Sequence, residues 1–134
     1  MILDTQRPLI QRALWLDGAV SLTAGLACLP ASGWLAEQFG VGSAPMVALG
    51  AFMATYGALM LWLAPHSGSG QHWPWGIVIG NALWVAASVA LAFSDWITPS
   101  GVGLFLLLGQ AAIVFGLTEL QYFGQRRVAA PQPA

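Results

Sequence analysis

Two carboxylates, Asp17 and Glu119, each sit inside a long apolar run of this 134-residue chain. A carboxylate placed in hydrocarbon costs about 2.5–3.5 kcal/mol even on lenient insertion scales, so it turns toward protein or a wet cavity and can hold a ligand, a cation or a proton there. Asp17 is followed by Ser21, Ala24 and Cys28 at helical spacing, which puts it on a small, mildly polar stripe. Glu119 follows Gly109, Ala112 and Gly116 at the same kind of spacing, and small residues let helices approach, so this stripe is expected to face protein. Near the end of its run, Glu119 is also within reach of the interface and of Arg126 or Arg127.

Asn81 is the third intramembrane polar group, on one face with Trp84 and Ser88 and beside a Gly76/Gly80 pair that has room for another helix. Tyr56 is the fourth. At 1.5 Å per residue from the middle of each run, Asp17, Tyr56, Asn81 and Glu119 lie between roughly 2 and 10 Å to the same side of the bilayer centre. Each run therefore offers one polar group to one layer, and Asp17, Asn81, Glu119, Tyr56 and Trp84 form the candidate ligand-binding set. Asp17, Asn81 and Glu119 read equally well as a purely structural network of interhelical hydrogen bonds. Gln110 is half a turn from Glu119 and is not expected to share its pocket.

Other chemistry has less to stand on. No Ser-His, Cys-His or metal-ligand spacing occurs, and His66 and His72 sit on a Gly-Ser tether that is flexible by composition. The sulfurs of Met46, Met53, Met60 and Cys28 suit Cu(I) chemically, but methionine is ordinary packing material. No catalytic residue, metal or cofactor is expected, and enzymology ranks below binding or transport.

The elements that carry these residues are four apolar runs, at about 9–29, 45–64, 75–93 and 102–123, separated by Gly, Pro, Ser and Trp. Roughly 20 residues cross a hydrocarbon core of about 30 Å. The expected fold is an all-α, polytopic four-transmembrane-helix bundle forming a single domain. A signal-peptide reading of the first run is rejected because Asp17 would lie in its apolar core. The 57% hydrophobic and 7% charged composition excludes an ordinary soluble surface. Net charge is −1 and lysine is absent, which argues against nucleic acid as a partner.

Arginine placement predicts topology. Arg7 and Arg12 precede the first run, Arg126 and Arg127 follow the fourth, and the two loops opposite, around Glu37 and Asp95, have no basic residue. The positive-inside rule then puts both termini in the cytoplasm of a bacterial inner membrane. Trp34, Leu35 and Phe39 in the first outer loop can form a short interfacial helix. In the second run, Met46, Leu49, Met53, Tyr56, Met60 and Leu63 make a heptad-like stripe, with Gly50, Ala54, Gly57 and Ala58 opposite. Burial of the first stripe would let Tyr56 bond Asp17 or Asn81; burial of the second would send it to lipid.

Asp17 and Asn81 sit at similar depths in runs one and three, each trailed by small residues and a tryptophan, which is consistent with two repeated helical hairpins. Leu16-Asp17-Gly18-Ala19, Gly80-Asn81-Ala82-Leu83-Trp84-Val85 and Glu119-Leu120-Gln121-Tyr122 with Gly124 and Arg126-Arg127 together resemble a group of small bacterial four-helix integral membrane proteins of unassigned function. That resemblance implies that Asp17, Asn81 and the Glu119 segment act together, and it brings no substrate. Small multidrug transporters share the size and an acidic first helix, but not the loop lengths or a second acid like Glu119; DoxX-like proteins share helix count more than motif.

The function expected from these residues is non-enzymatic: binding or translocation of a small solute or proton at a polar site near the cytoplasmic side. The alternative is an accessory or scaffold role, touching another membrane protein or a lipophilic ligand such as a quinone. Partners follow as the lipid bilayer and either a homo-oligomer or another membrane protein.

Overall fold

The computed structural model describes residues 8–130; Arg7, used above for topology, lies outside them. Among the described residues the chain is all-helical, with α1 (Leu9–Cys28), α2 (Ser32–Phe39), α3 (Ser43–Leu63), a 3-10 turn (Ala64–His66), α4 (Pro74–Ala92) and α5 (Gly101–Ala129). Local chemistry sets most ends. Pro74 opens α4, where its missing N–H is no loss. Ser100 caps α5 by accepting the Gly103 amide at 3.0 Å. Gly40, at φ +67°, closes α2 in the left-handed conformation that glycine adopts freely.

α5 runs on to Ala129, past the apolar stretch that ends near Phe123. Gln125, Arg126 and Arg127 are good helix formers, and arginines in a last turn oppose the helix dipole favourably. Polarity ended the apolar run without ending the helix.

α4, α5 and α3 continued through the 3-10 turn are each long and apolar enough to cross a membrane; α1 qualifies only together with α2, from which it is bent by 93°. The described residues thus hold three such helices, or up to four. Gln11, Arg12 and Asp17 lower the hydropathy of α1, although it is as long as its neighbours. α2 turns away at a right angle with Trp34 half exposed, in the geometry expected of an interfacial helix.

The long helices run antiparallel in the order α3, α1, α5, α4. α1 packs along α3 and against α5, α5 packs against α4, and α3 and α4 barely touch. Glycines make the first contact possible. The Gly18 and Gly25 backbones lie so close to Gly57 and Gly50 that a Cβ at Gly18 would meet the Gly57 carbonyl oxygen at 2.9 Å, and one at Gly25 the Gly50 carbonyl oxygen at 2.7 Å.

The heptad stripe of α3 and its glycines are therefore not alternatives. Gly50, Gly57 and Met60 are buried together, Met53 and Tyr56 flank them half-buried, and Ala58 is exposed. One wide inward face carries both the close approach and the phenol, because positions 50, 53, 57 and 60 recur every three or four residues.

On the face that holds the α1 start and the α5 end, Ile10, Leu14, Met60 and Ala64 form a closed apolar cluster with Trp73, Ile77 and Val128 against it. The Gly-Ser connection beside it is pinned. Gln11 donates to the Ser67 carbonyl at 2.7 Å and Gln125 to the Gln71 carbonyl at 2.6 Å. These side-chain bonds hold in place a segment that composition alone reads as loose.

Candidate functional site

Asp17 reaches the middle of the bundle because Gly18 and Gly25 press α1 onto α3 while its own face turns toward α4 and α5. It is 2% exposed and receives four side-chain donors. Tyr56 donates its hydroxyl to Oδ2 at 2.7 Å, Asn81 its amide at 2.8 Å and Gln121 its amide at 2.8 Å, while Ser21 approaches Oδ1 at 3.3 Å. Asn81 gives its second amide hydrogen to Gln121 Oε1 at 3.0 Å. Every long helix contributes to this cluster. Among the described residues no basic side chain takes part in it, so there the carboxylate meets neutral dipoles alone, each a bond of the stronger, charge-assisted kind when Asp17 is ionised.

Three expected members, Asp17, Tyr56 and Asn81, thus converge. Glu119 does not: it is exposed, and the place allotted to it is taken by Gln121, which is fully buried. Two positions on a helix differ by about 200°, so the two cannot share a face. The packed stripe of α5 is not the one on which Glu119 lies. Gly109 and Gly116 have open space where a Cβ would stand, whereas Gly103 and Gly124 abut the Gln38 carbonyl and the Ile10 backbone. The α5 seam runs from Gly103 through Leu107, Gln110, Val114, Leu117 and Gln121 to Gly124, an alternation of four and three that is visible in the sequence. Gly76 and Gly80 also have open space, so no described helix fills the groove expected there.

Trp84 belongs to a second polar group one helical turn away. Its indole N–H donates to Gln110 Oε1 at 2.8 Å, and the Gln110 amide donates to Ser88 at 2.9 Å and to the Leu107 carbonyl at 3.0 Å. Gln110 and Glu119 are indeed separate, but Gln110 is a site residue in its own right.

Between the two groups lies a cavity of about 300 Å³. α1 and α5 form its back, where Asp17, Ser21 and Leu117 stand; Tyr56, Asn81 and Trp84 flank it from α3 and α4. Phe52 and Gly80 line it yet are exposed, so it opens sideways where α3 and α4 fail to pack. Phe52 spans that opening, stacked on Tyr56 at 6.3 Å and on Trp84 at 6.4 Å between ring centroids.

His66 rests on Trp62, its Nδ1 3.1 Å from that residue's carbonyl oxygen, and among the described residues no three His, Cys, Asp or Glu side chains gather as a metal site would require. No protein-family profile, curated protein or solved structure matches the chain.

Proposed function

We propose that this chain is a non-enzymatic membrane protein of four spans that binds a small lipophilic molecule drawn from the bilayer, in the cavity between α3 and α4 and against Asp17. The observation that carries this reading is a mostly apolar cavity, open sideways at mid-span, with a buried polar cluster at its back. About 300 Å³ is at the low end for small-molecule pockets, which suits a compact ligand or one segment of a longer one. Binding is favoured over translocation because Ile10, Leu14, Met60 and Ala64 close the bundle on the termini side of Asp17.

In this reading α1 is the fourth span, with both termini on the cytoplasmic side of a bacterial inner membrane. Arg12, Arg126 and Arg127 mark that side, and Trp75, Tyr122 and Arg126 group there as an interfacial belt would, with ring centroids of Trp75 and Tyr122 5.7 Å apart and the Arg126 guanidinium 5.7 Å from the Tyr122 ring. A membrane-impermeant maleimide applied to intact cells should label Gly33→Cys and spare Ser69→Cys, both in a Cys28→Ser background. The reverse pattern would invert the topology, and labelling of both would remove α3, the long helix between the two positions, as a span.

The cavity is tested with an alkyl-diazirine alcohol partitioned into vesicles that hold the protein. Photolabelling should fall on Phe52, Tyr56 and Trp84, and Ala24→Phe or Val114→Phe, which fill the space, should reduce it severalfold while labelling of lipid-facing Phe105 persists. Unchanged labelling in both filled variants would refute the reading. The outward stripe of half-buried Gly109 with exposed Ala112 and Gly116 supports a second reading, contact with another copy or another membrane protein. That reading would be preferred if labelling ignores the cavity while Gly116→Phe changes the oligomeric state in mild detergent.

A further inference from the structure

We infer that the ligand of this cavity carries a hydrogen-bond donor at its polar end, and that it is a lipophilic amine with at least one N–H. The inference rests on the binding reading above and names the ligand class that reading leaves open.

It follows from counting donors and acceptors on the residues that line the cavity. Every side-chain donor there is already committed. Ser21 and Tyr56 give their hydroxyls to Asp17; Asn81 gives one amide hydrogen to Asp17 and the other to Gln121; Trp84 gives its indole N–H to Gln110; Gln110 gives its two to Ser88 and Leu107. The spare capacity is all of the opposite kind. Asp17 Oδ1 receives only Ser21 at 3.3 Å, Asn81 Oδ1 receives only a long contact from Tyr56 at 3.4 Å, and the Tyr56 oxygen keeps its lone pairs. A carbonyl ligand, a quinone included, would have to displace a bond already made and would set one acceptor against others. An N–H would find three acceptors waiting.

Charge narrows the class from donors in general to amines. Among the described residues Asp17 is held by neutral groups only, so a protonated amine is the partner that turns its hydrogen bonds into an ion pair in a medium of low dielectric. The aromatic rings of Phe52, Tyr56 and Trp84 stand along the way in, and ring faces attract ammonium groups.

The test is calorimetric titration of the full chain in lipid nanodiscs with n-decylamine, n-decyltrimethylammonium and 2-undecanone, with nanodiscs of Ala24→Phe as the partitioning baseline. Decylamine is expected to bind saturably and at least about tenfold more tightly than the other two, the difference a charge-assisted hydrogen bond supplies. Asp17→Asn should erase that preference; if this variant does not fold, the three-ligand comparison on the unaltered protein decides alone. Equal binding of amine and ketone, both lost in Ala24→Phe, would overturn the donor assignment and leave the cavity reading standing. Equal binding of amine and quaternary ammonium would show that charge acts without the N–H, which also overturns it. Saturable binding of none of the three would remove both.

Discussion

Gly57→Ala is expected to unseat α1 from α3, and Gly25→Ala to do the same one turn nearer the other face. A Cβ at Gly57 would run into the backbone nitrogen of Leu22 and stand 2.6 Å from the Gly18 carbonyl oxygen; one at Gly25 would run into the backbone nitrogen of Ala54 and stand 2.7 Å from the Gly50 carbonyl oxygen. Both obstacles are backbone, so no side chain can rotate away and the helices must separate. Overpacking of this kind costs about 1–3 kcal/mol per site. In a membrane the cost weighs more, because helices attract mainly through close packing and lose that attraction steeply with distance. The two changes share one interface, so together they should exceed their sum or abolish the folded form. Gly80→Ala and Gly116→Ala are the controls: with nothing within 4 Å of a Cβ at either, they should stay within about 0.5 kcal/mol of the original. Unfolding in mixed micelles checks the series, and a stable Gly25→Ala/Gly57→Ala protein would show that α1 and α3 do not pack this way.

This contact also shows what could be read in advance and what could not. Helix positions follow from apolar run length and proline placement, since both act within a few residues, and the long helices begin and end close to the expected bounds except for α5, which continues to Ala129. Asp17, Tyr56 and Asn81 were legible as partners because a buried polar group in hydrocarbon has few ways to be satisfied. Choosing between faces of one helix was harder. α5 has small residues on two faces, and the open one, Gly109 to Gly116, follows the spacing rule as well as the packed one; only the neighbours, Ile10 and Gln38, distinguish them. Gln121 was hidden by the same ambiguity, and by the greater chemical prominence of Glu119 two positions away. The loose packing of α3 on α4, and so the cavity itself, depends on crossing geometry that no single helix encodes.

Asp17→Leu should be the most damaging single change outside the glycine contacts. It leaves the donors of Tyr56, Asn81 and Gln121, set 2.7–2.8 Å from one oxygen, without their acceptor. An orphaned buried donor costs about 1–3 kcal/mol in soluble proteins, while interhelical bonds inside membranes average nearer 0.6 kcal/mol, so a loss of roughly 2–4 kcal/mol is expected for the three together. Gln121→Leu should cost about 1–2 kcal/mol by the same reckoning, and Glu119→Gln, at an exposed position, almost nothing. That ordering follows from the burial of Gln121, and a larger effect at Glu119 than at Gln121 would contradict it. The triple change Asp17→Leu/Asn81→Leu/Gln121→Leu separates structure from use. Replacing a whole buried polar cluster by apolar groups removes the desolvation cost along with the bonds, so stability should recover much of what Asp17→Leu alone loses. If the triple variant folds well and still takes up decylamine as the original does, the cluster serves packing only. If it folds well and takes up none, a polar group that the bundle can do without for stability is kept for the ligand.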